Sequence, residues 1–154
     1  MTFKEIKAAL ISVMKTKYPA KNYKYYSNSV VEKFTRPCFF TELTLDRSEV
    51  VSTDVHHFLG TFSIEILQEK VNEADALDIF TTLQGAFGTS VMVGQTNPRA
   101  VKVVGYDFEF AGTEENIPVI TVNLEWYDVL PKTSETYPMM EAVDLNLEME
   151  EEVI

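Results

Sequence analysis

Residues 57–66 alternate between apolar and polar side chains, and this alternation constrains the fold more than any other feature of the sequence. The apolar set is Phe58, Gly60, Phe62, Ile64 and Ile66. The polar set between them is His57, Thr61, Ser63 and Glu65. A period of two puts the two sets on opposite faces of a β-strand. The segment therefore predicts a strand with one face against a core and the other against solvent.

The first helix is predicted to begin at the N-terminus. Thr2 followed by Glu5 is a capping box, in which each side chain accepts a hydrogen bond from a backbone N–H that the helix leaves unpaired. Apolar residues then recur at spacings of three and four, and Pro19 ends the segment. The apolar positions are Phe3, Ile6, Leu10, Val13 and Met14. This pattern indicates an amphipathic helix.

A second helix is expected in the middle of the chain. Asn72 or Asp75 can cap its start, and Gly88 can end it. Its predicted apolar face consists of Ala76, Leu77, Phe80, Leu83 and Phe87. The helix would connect strands that precede it to strands that follow it.

Further strand patterns lie on both sides of this helix. They are the aromatic run 23–26, a strand entered through Pro37 that contains Phe39, Leu43 and Leu45, the short run 91–93, and a hairpin over residues 101–127. The sequence thus predicts an α+β fold with a mainly antiparallel sheet, two amphipathic helices and an extended C-terminal arm. Residues 1–132 form the expected domain, and residues 133–154 form the acidic and apolar arm.

Charge is unevenly distributed along the chain. The formal net charge is −11, which opposes tight binding of nucleic acid, because such binding depends on Lys and Arg. Residues 1–47 hold nine Lys or Arg against four Asp or Glu, whereas residues 133–154 hold seven acids and no base. This asymmetry favours electrostatic contact between the first part of one chain and the last part of another.

Signatures of enzymatic chemistry are absent from the sequence. Cys38 is the single cysteine, which excludes an intramolecular disulfide, and it is expected to be a buried apolar side chain. His56 and His57 are adjacent, so in a strand they point to opposite faces and do not readily share a metal ion. The common phosphate-binding, nucleophile and zinc motifs do not occur. We therefore expect no catalytic residues, no bound metal and no cofactor.

Neither a signal peptide nor a membrane-spanning segment is predicted. The N-terminal residues alternate charged with apolar side chains, and no run reaches the roughly 18 apolar residues of a membrane span. The expected location is the cytoplasm, without a membrane partner.

The order of these elements, together with three short segments, resembles the tail terminator, or tail completion, proteins of bacterial viruses and phage-tail-like particles. The segments are Phe3-Lys4-Glu5-Ile6-Lys7-Ala8-Ala9-Leu10, Arg36-Pro37-Cys38-Phe39-Phe40 and Glu125-Trp126-Tyr127. The resemblance spans nearly the whole chain. It implies a small α+β subunit that forms a six-membered ring on the tail tube, stops tube growth and presents an attachment surface at the upper end of the tail.

The resemblance also implies partners: other copies of the chain, the tail tube protein, and a sheath or head-tail connector protein. We expect the arm to contact a neighbouring subunit or another tail protein, because exposed apolar side chains gain nothing from water. The candidate interface residues are Tyr137, Met139, Met140, Val143, Leu145 and Leu147. An edge strand of the same subunit, followed by a frayed end, is the alternative for this segment.

Acidic side chains could line the channel of such a ring. DNA would then pass without tight binding, because carboxylates repel phosphates. The candidates are Asp107, Glu109, Glu114 and Glu115, and ordinary solubilising charge is the alternative. A head-tail connector or neck subunit, and a small ligand-binding domain or enzyme with a pocket between the second helix and the sheet, stay open as other functions.

Overall fold

A computed structural model describes residues 1–27, 33–114 and 116–130. In chain order its elements are α1 (Phe3–Lys17), β1 (Lys24–Ser27), β2 (Cys38–Val50), β3 (Val55–Leu67), α2 (Glu73–Phe87), β4 (Ser90–Val93), β5 (Arg99–Ala111) and β6 (Ile117–Val129). The predicted α+β class is confirmed. The predicted C-terminal arm lies outside the described residues.

One sheet contains all six of these strands, in the order β1-β2-β3-β6-β5-β4. Strand β1 pairs with β2 in parallel, and every other neighbouring pair is antiparallel. Strands β2, β3, β5 and β6 are each 13 residues long, so they form a broad central platform. The register shifts between Leu45 and Arg47 in β2 and between Val103 and Gly105 in β5.

Helix α1 begins at the predicted capping box. The backbone N–H of Glu5 donates to Oγ1 of Thr2 at 3.2 Å, and the N–H of Thr2 donates to Oε2 of Glu5 at 2.7 Å. Ile6, Leu10 and Met14 are fully buried, which confirms the apolar face at those positions. Phe3, predicted on the same face, is 46% exposed because the helix begins at the rim of the sheet.

Helix α2 is capped by Asn72, whose side chain accepts from the N–H of Asp75 at 3.3 Å, and it ends at Gly88. Its buried residues are Ala76, Ile79, Leu83 and Phe87. The prediction that Leu77 lies on this face is wrong, since that side chain is 44% exposed. Spacings of three and four from Ala76 lead instead to Ile79, which is buried. Which of these positions is buried depends on how the helix packs on the sheet.

The core lies between the two helices and one face of the sheet. Residues of β3 and β6 form its centre, with Phe62 paired to Val122 and Ile64 paired to Ile120. Phe58 and Trp126 stack at a centroid distance of 5.5 Å. Cys38 is 1% exposed, as predicted for a buried apolar side chain. The opposite face of the sheet carries no described helix and is polar along most of its length.

Candidate functional site

The helix-free face of the sheet, called here the outer face, carries an acidic half near the β5–β6 turn. Asp107 and Glu109 project from β5 and are exposed. Four residues form a row across the strands: Asp107 pairs with Thr121, Thr121 with Ser63, and Ser63 with Glu42. Glu109 and Glu65 flank Val119 from the two sides. Strand pairing thus adds Glu42 and Glu65 to a region that the sequence identified only from β5.

The other predicted acids lie in the turn that follows β5. Glu114 is exposed and accepts a hydrogen bond from Nδ2 of Asn116 at 3.3 Å. Asp107 accepts from Nδ2 of Asn123 at 3.1 Å. Glu115 lies outside the described residues. The structure therefore brings three of the four candidates to one end of the sheet, two on its outer face and one in the adjoining turn.

A charge-balanced group occupies the opposite half of the outer face. The Nδ1 atom of His57 lies 3.3 Å from Oε2 of Glu49, and its Nε2 atom lies 3.4 Å from Oε2 of Glu125. Arg47 pairs with Glu49 at 2.8 Å, and Lys102 lies 3.7 Å from Glu125. The carboxylates of Glu49 and Glu125 are thus matched by bases.

The two adjacent histidines lie on opposite faces of the sheet. His57 lies on the outer face against the ring of Tyr127, at a centroid distance of 4.6 Å, whereas His56 stacks at 6.1 Å on Phe58 at the core side. The two rings therefore point to opposite faces, as predicted. Residues 1–27, 33–114 and 116–130 contain no group of three or more His, Cys, Asp or Glu side chains that could hold a metal ion.

An apolar groove of about 810 Å³ lies at the end of the sheet where β6 finishes. Its walls include Phe58, Trp126 and three half-exposed side chains: Phe3 (46% exposed), Val129 (54%) and Leu130 (43%). Val50 and Val51, which begin the β2–β3 turn at the same end, are also largely exposed. Exposed apolar side chains gathered at one end of a sheet are typical of a surface that another chain covers.

An ion group centred on the buried carboxylate of Asp128 supports this groove. Asp128 pairs with the guanidinium of Arg99 and lies 3.2 Å from the amino group of Met1. Burial acts to raise the pKa of Asp128, but hydrogen bonds from the Met1 amino group, the Val129 N–H and Arg99 together lower it. The carboxylate therefore stays charged and holds the start of α1 against the end of β6.

A second groove, of about 760 Å³, runs between α1 and the edge strand β4. The helix contributes small or medium side chains: Ala8, Ala9, Ser12, Val13 and Thr16. Met92 and the turn residues Gly94, Gln95 and Thr96 form the other wall. This groove lies beside the backbone edge of β4, and the local sequence pattern gave no sign of it.

The space between α2 and the sheet, where a ligand pocket was an alternative, is a cleft of about 370 Å³. The side chain of Gln68, which lines it, donates to the carbonyl of Asn72 at 2.9 Å and accepts from its N–H at 3.1 Å. These polar atoms thus hold the turn before α2.

Burial raises the pKa of the Cys38 thiol, and the nearby Arg36 lowers it by a smaller amount. The net rise disfavours the nucleophilic thiolate.

The candidate interface residues of the arm do not belong to the described part of the chain. Tyr137, Met139, Met140, Val143, Leu145 and Leu147 all lie outside the described residues. In the part of the chain that the structure describes, neither helix is long and apolar enough to cross a membrane. The fold and its surfaces define a small α+β protein with broad grooves and a charge-segregated sheet face, features suited to contacts with other chains.

The sequence places this protein in a family. The family model for phage tail terminator proteins matches residues 5–136, so the chain belongs to the phage tail terminator family, a family of structural tail proteins. No curated protein is significantly similar to the chain.

Solved structures share the fold at low sequence identity. One chain superposes with a TM-score of 0.50 and 14% identity, over 86% of this chain and 99% of that chain. A chain from the virion of a native gene transfer agent particle also superposes with a TM-score of 0.50, at 9% identity, over 82% of this chain and 96% of that chain.

Proposed function

We propose that this protein forms a ring, of six subunits, that caps the tail tube, stops its polymerisation and provides the attachment surface at the upper end of the tail. The observation that carries the proposal is the family match over residues 5–136. The shared fold of a chain from a gene transfer agent virion supports a place in a tailed particle. The subunits would assemble in the cytoplasm of a bacterial host and then belong to the particle.

A ring needs two different surfaces on each subunit, because each subunit meets its neighbour head to tail. This chain offers opposite charges for such a contact. Helix α1 carries Lys4, Lys7, Lys15 and Lys17, and the arm at residues 133–154 has seven acids and no base. We propose residues 1–132 as the body of the subunit and the arm as the part that reaches a neighbour.

The apolar groove at Phe3, Val129 and Leu130 is suited to a permanent protein partner. We assign this end of the subunit to the tail tube protein. A ring that caps the tube must bind it permanently, and permanent interfaces are larger and more apolar than transient ones. A sheath or head-tail connector protein would then bind elsewhere on the ring. A neck subunit is the second candidate function, because it would use the same kind of ring contacts.

The acidic half of the outer face supports a second part of the proposal. Glu42, Glu65, Asp107 and Glu109 lie together there, whereas Arg47 and Lys102 lie in the other half. Carboxylates facing the bore would repel phosphates, so DNA would pass the ring without tight binding.

Removal of the protein from a particle-producing host tests the function. Without a terminator, tubes should grow past their normal length, and electron microscopy should show long tails without heads. Supplying the intact chain should restore normal length. Tails of normal length that lack only the joint to the head would instead support the neck subunit and overturn the terminator.

Truncation tests the role of the arm. A chain that ends at residue 132 should fold, because the described core lies before that point, but it should not form rings or complete particles. Native mass spectrometry of the protein and electron microscopy of the particles measure this. A truncated chain that caps tubes normally would overturn the arm's role and leave the terminator function standing.

A further inference from the structure

Strand β4 is an open edge of the sheet in the described part of the chain. It pairs with β5 from Ser90↔Lys102 to Val93↔Arg99, and the sheet order ends with it. An edge strand presents a row of N–H and C=O groups to which an extended chain can hydrogen-bond. Val91 and Val93 are buried, whereas Met92 is 56% exposed and points to the outer face.

Space for an added strand exists beside this edge. The groove between α1 and β4 has a volume of about 760 Å³, and the helix side chains that line it are no larger than valine, apart from Glu5 at one end. An extended segment paired to β4 would direct every second side chain towards α1 and the others towards the outer face. Those directed towards α1 would lie over Ala9, Ser12 and Val13.

The arm contains a segment with this alternation. Val143, Leu145 and Leu147 share one parity, and the residues between and after them, Asp144, Asn146 and Glu148, share the other. Apolar side chains would thus enter the groove while polar ones face solvent. The shape of the groove and the alternation of the segment therefore match.

The position of the arm allows it to reach this edge in another copy. Residue Leu130 lies at the end of the sheet where Val93 also lies, because β5 pairs with both neighbours there. Two strand spacings, about 10 Å, separate β6 from β4. The twelve residues 131–142 can extend to about 40 Å, which is far more than the same subunit requires and enough to reach a neighbour.

We infer that residues 143–148 of one copy add as a strand to β4 of the next copy, with Val143, Leu145 and Leu147 in the groove beside α1. This inference rests on the proposed ring and names the contact that closes it. When each copy donates its arm to the next, the contact is head to tail, as a heterologous ring requires.

Disulfide trapping between two different variants tests the contact. One variant carries Met92→Cys, and the other carries a cysteine in the arm. They are produced together with the tail tube protein, oxidised in the assembled particles and separated without reductant. Because Met92 faces outwards, Asp144→Cys, Asn146→Cys or Glu148→Cys should give a heterodimer, at least at the position opposite Met92. Cys38 is buried and stays unchanged as an internal control.

Parity and position supply the matched controls. Val143→Cys, Leu145→Cys and Leu147→Cys should give at least fivefold less heterodimer with Met92→Cys, since those side chains would face α1. Val104→Cys, which is 56% exposed on the neighbouring strand β5, should likewise crosslink at least fivefold less with the outward arm positions. Equal yields for both parities, or for Val104→Cys, would overturn strand addition at β4.

A chain that carries both Met92→Cys and Asn146→Cys separates contact within a subunit from contact between subunits. A ladder of linked chains supports the inference, and a compact crosslinked monomer as the sole product overturns it. Rings that cap tubes but give no trapped product at any arm position would overturn the strand contact and leave the terminator function intact. Particles with no ring at their upper end would instead overturn the function itself.

Discussion

Gly60 lies directly against the indole ring of Trp126. A Cβ atom on Gly60 would be 3.0 Å from both Cζ3 and Cη2 of that ring and 3.3 Å from the carbonyl oxygen of Thr44. Trp126 is 3% exposed and stacks on Phe58, so the ring has little room to move. Glycine in the middle of β3 therefore permits the aromatic packing that forms the floor of the apolar groove.

Gly60→Ala should destabilise the protein. Overpacking a well-filled core costs about 1–3 kcal/mol, and the reduced freedom of the unfolded chain offsets about 0.4–1 kcal/mol of this. We expect a net loss of about 1 kcal/mol, measured by urea unfolding followed through tryptophan fluorescence. Gly85→Ala is the matched control, because nothing lies within 4 Å of the added carbon in the last turn of α2. It should stabilise by about 0.5–1 kcal/mol, and equal effects at both positions would contradict the packing argument.

Asp128→Asn should destabilise the protein at neutral pH. The substitution keeps the size of the side chain but removes the charge that binds Arg99 and the amino group of Met1. Hydrogen bonds to charged groups contribute about 1.5–3 kcal/mol, so the free energy of unfolding at pH 7 should fall by about that amount.

The loss of stability in Asp128→Asn should depend on pH, because folding lowers the pKa of Asp128. Because the pKa of Asp128 is lower in the folded state, its contribution is present above the unfolded pKa of about 3.9 and is lost as pH falls through the folded pKa. Urea unfolding at pH 7 and at pH 3 should show the difference between wild type and variant shrinking. Glu109→Gln, at an exposed position, should change stability by less than about 0.5 kcal/mol. A difference that persists at pH 3 would count against the ion group.

Tyr25→Phe should weaken the attachment of β1. Its hydroxyl donates to the carbonyl of Tyr18 at 2.6 Å, and its ring lies 5.4 Å from that of Phe39. Loss of this hydrogen bond should cost about 1 kcal/mol at pH 7. Tyr127→Phe, on a half-exposed ring of the outer face, should cost less than about 0.5 kcal/mol in the same urea titration.

Alkaline pH provides an independent test of the same residue. Burial, followed by the neighbouring hydroxyls of Tyr18 and Tyr23, raises the pKa of Tyr25 to about 12. A raised pKa contributes stability below the unfolded value of about 10, and this contribution is lost as pH rises from there to about 12. The difference in tyrosinate absorbance between wild type and Tyr25→Phe should therefore report the titration of Tyr25, at a pH well above about 10. A difference that titrates near pH 10 would show that the ring is not desolvated.

Local signals account for the parts of this fold that the sequence predicted. The capping pair Thr2 and Glu5 sets the start of α1 by contacts three residues apart, and alternation along β3 needs no partner to be recognised. The parallel pairing of β1 with β2 was not predicted, because four residues give no information on strand direction. Leu77 was misplaced for a related reason, since the rotation of α2 depends on the sheet beneath it.

The candidate surfaces follow the same division. Asp107 and Glu109 were found because they alternate along one strand, whereas Glu42 and Glu65 join them only through the order of strands in the sheet. The groove between α1 and β4 was missed because its walls are about 80 residues apart in sequence. Spacing within an element is readable from sequence, and proximity between distant elements depends on tertiary packing.

Reversal of charge in the acidic half of the outer face should create affinity for DNA. Asp107→Lys combined with Glu109→Lys replaces two exposed acids with two bases, which would place attraction for phosphates in the proposed bore. Rings and particles should still form, but DNA should bind the assembled ring in low salt and release as salt is raised. Electrophoretic mobility of labelled DNA over a range of salt concentrations measures this.

The control for that experiment changes the net charge equally at another place. Glu69→Lys with Glu73→Lys alters two exposed acids, one in the turn before α2 and one at the first residue of that helix, away from the outer face. If the acidic half faces the bore, the control ring should bind DNA at least tenfold more weakly than the ring with reversed charge on β5, because charges around a closed channel act on the same strand of DNA. Equal affinity of the two rings would mean that net charge alone governs binding, and the acidic half would then lose its assignment to the channel.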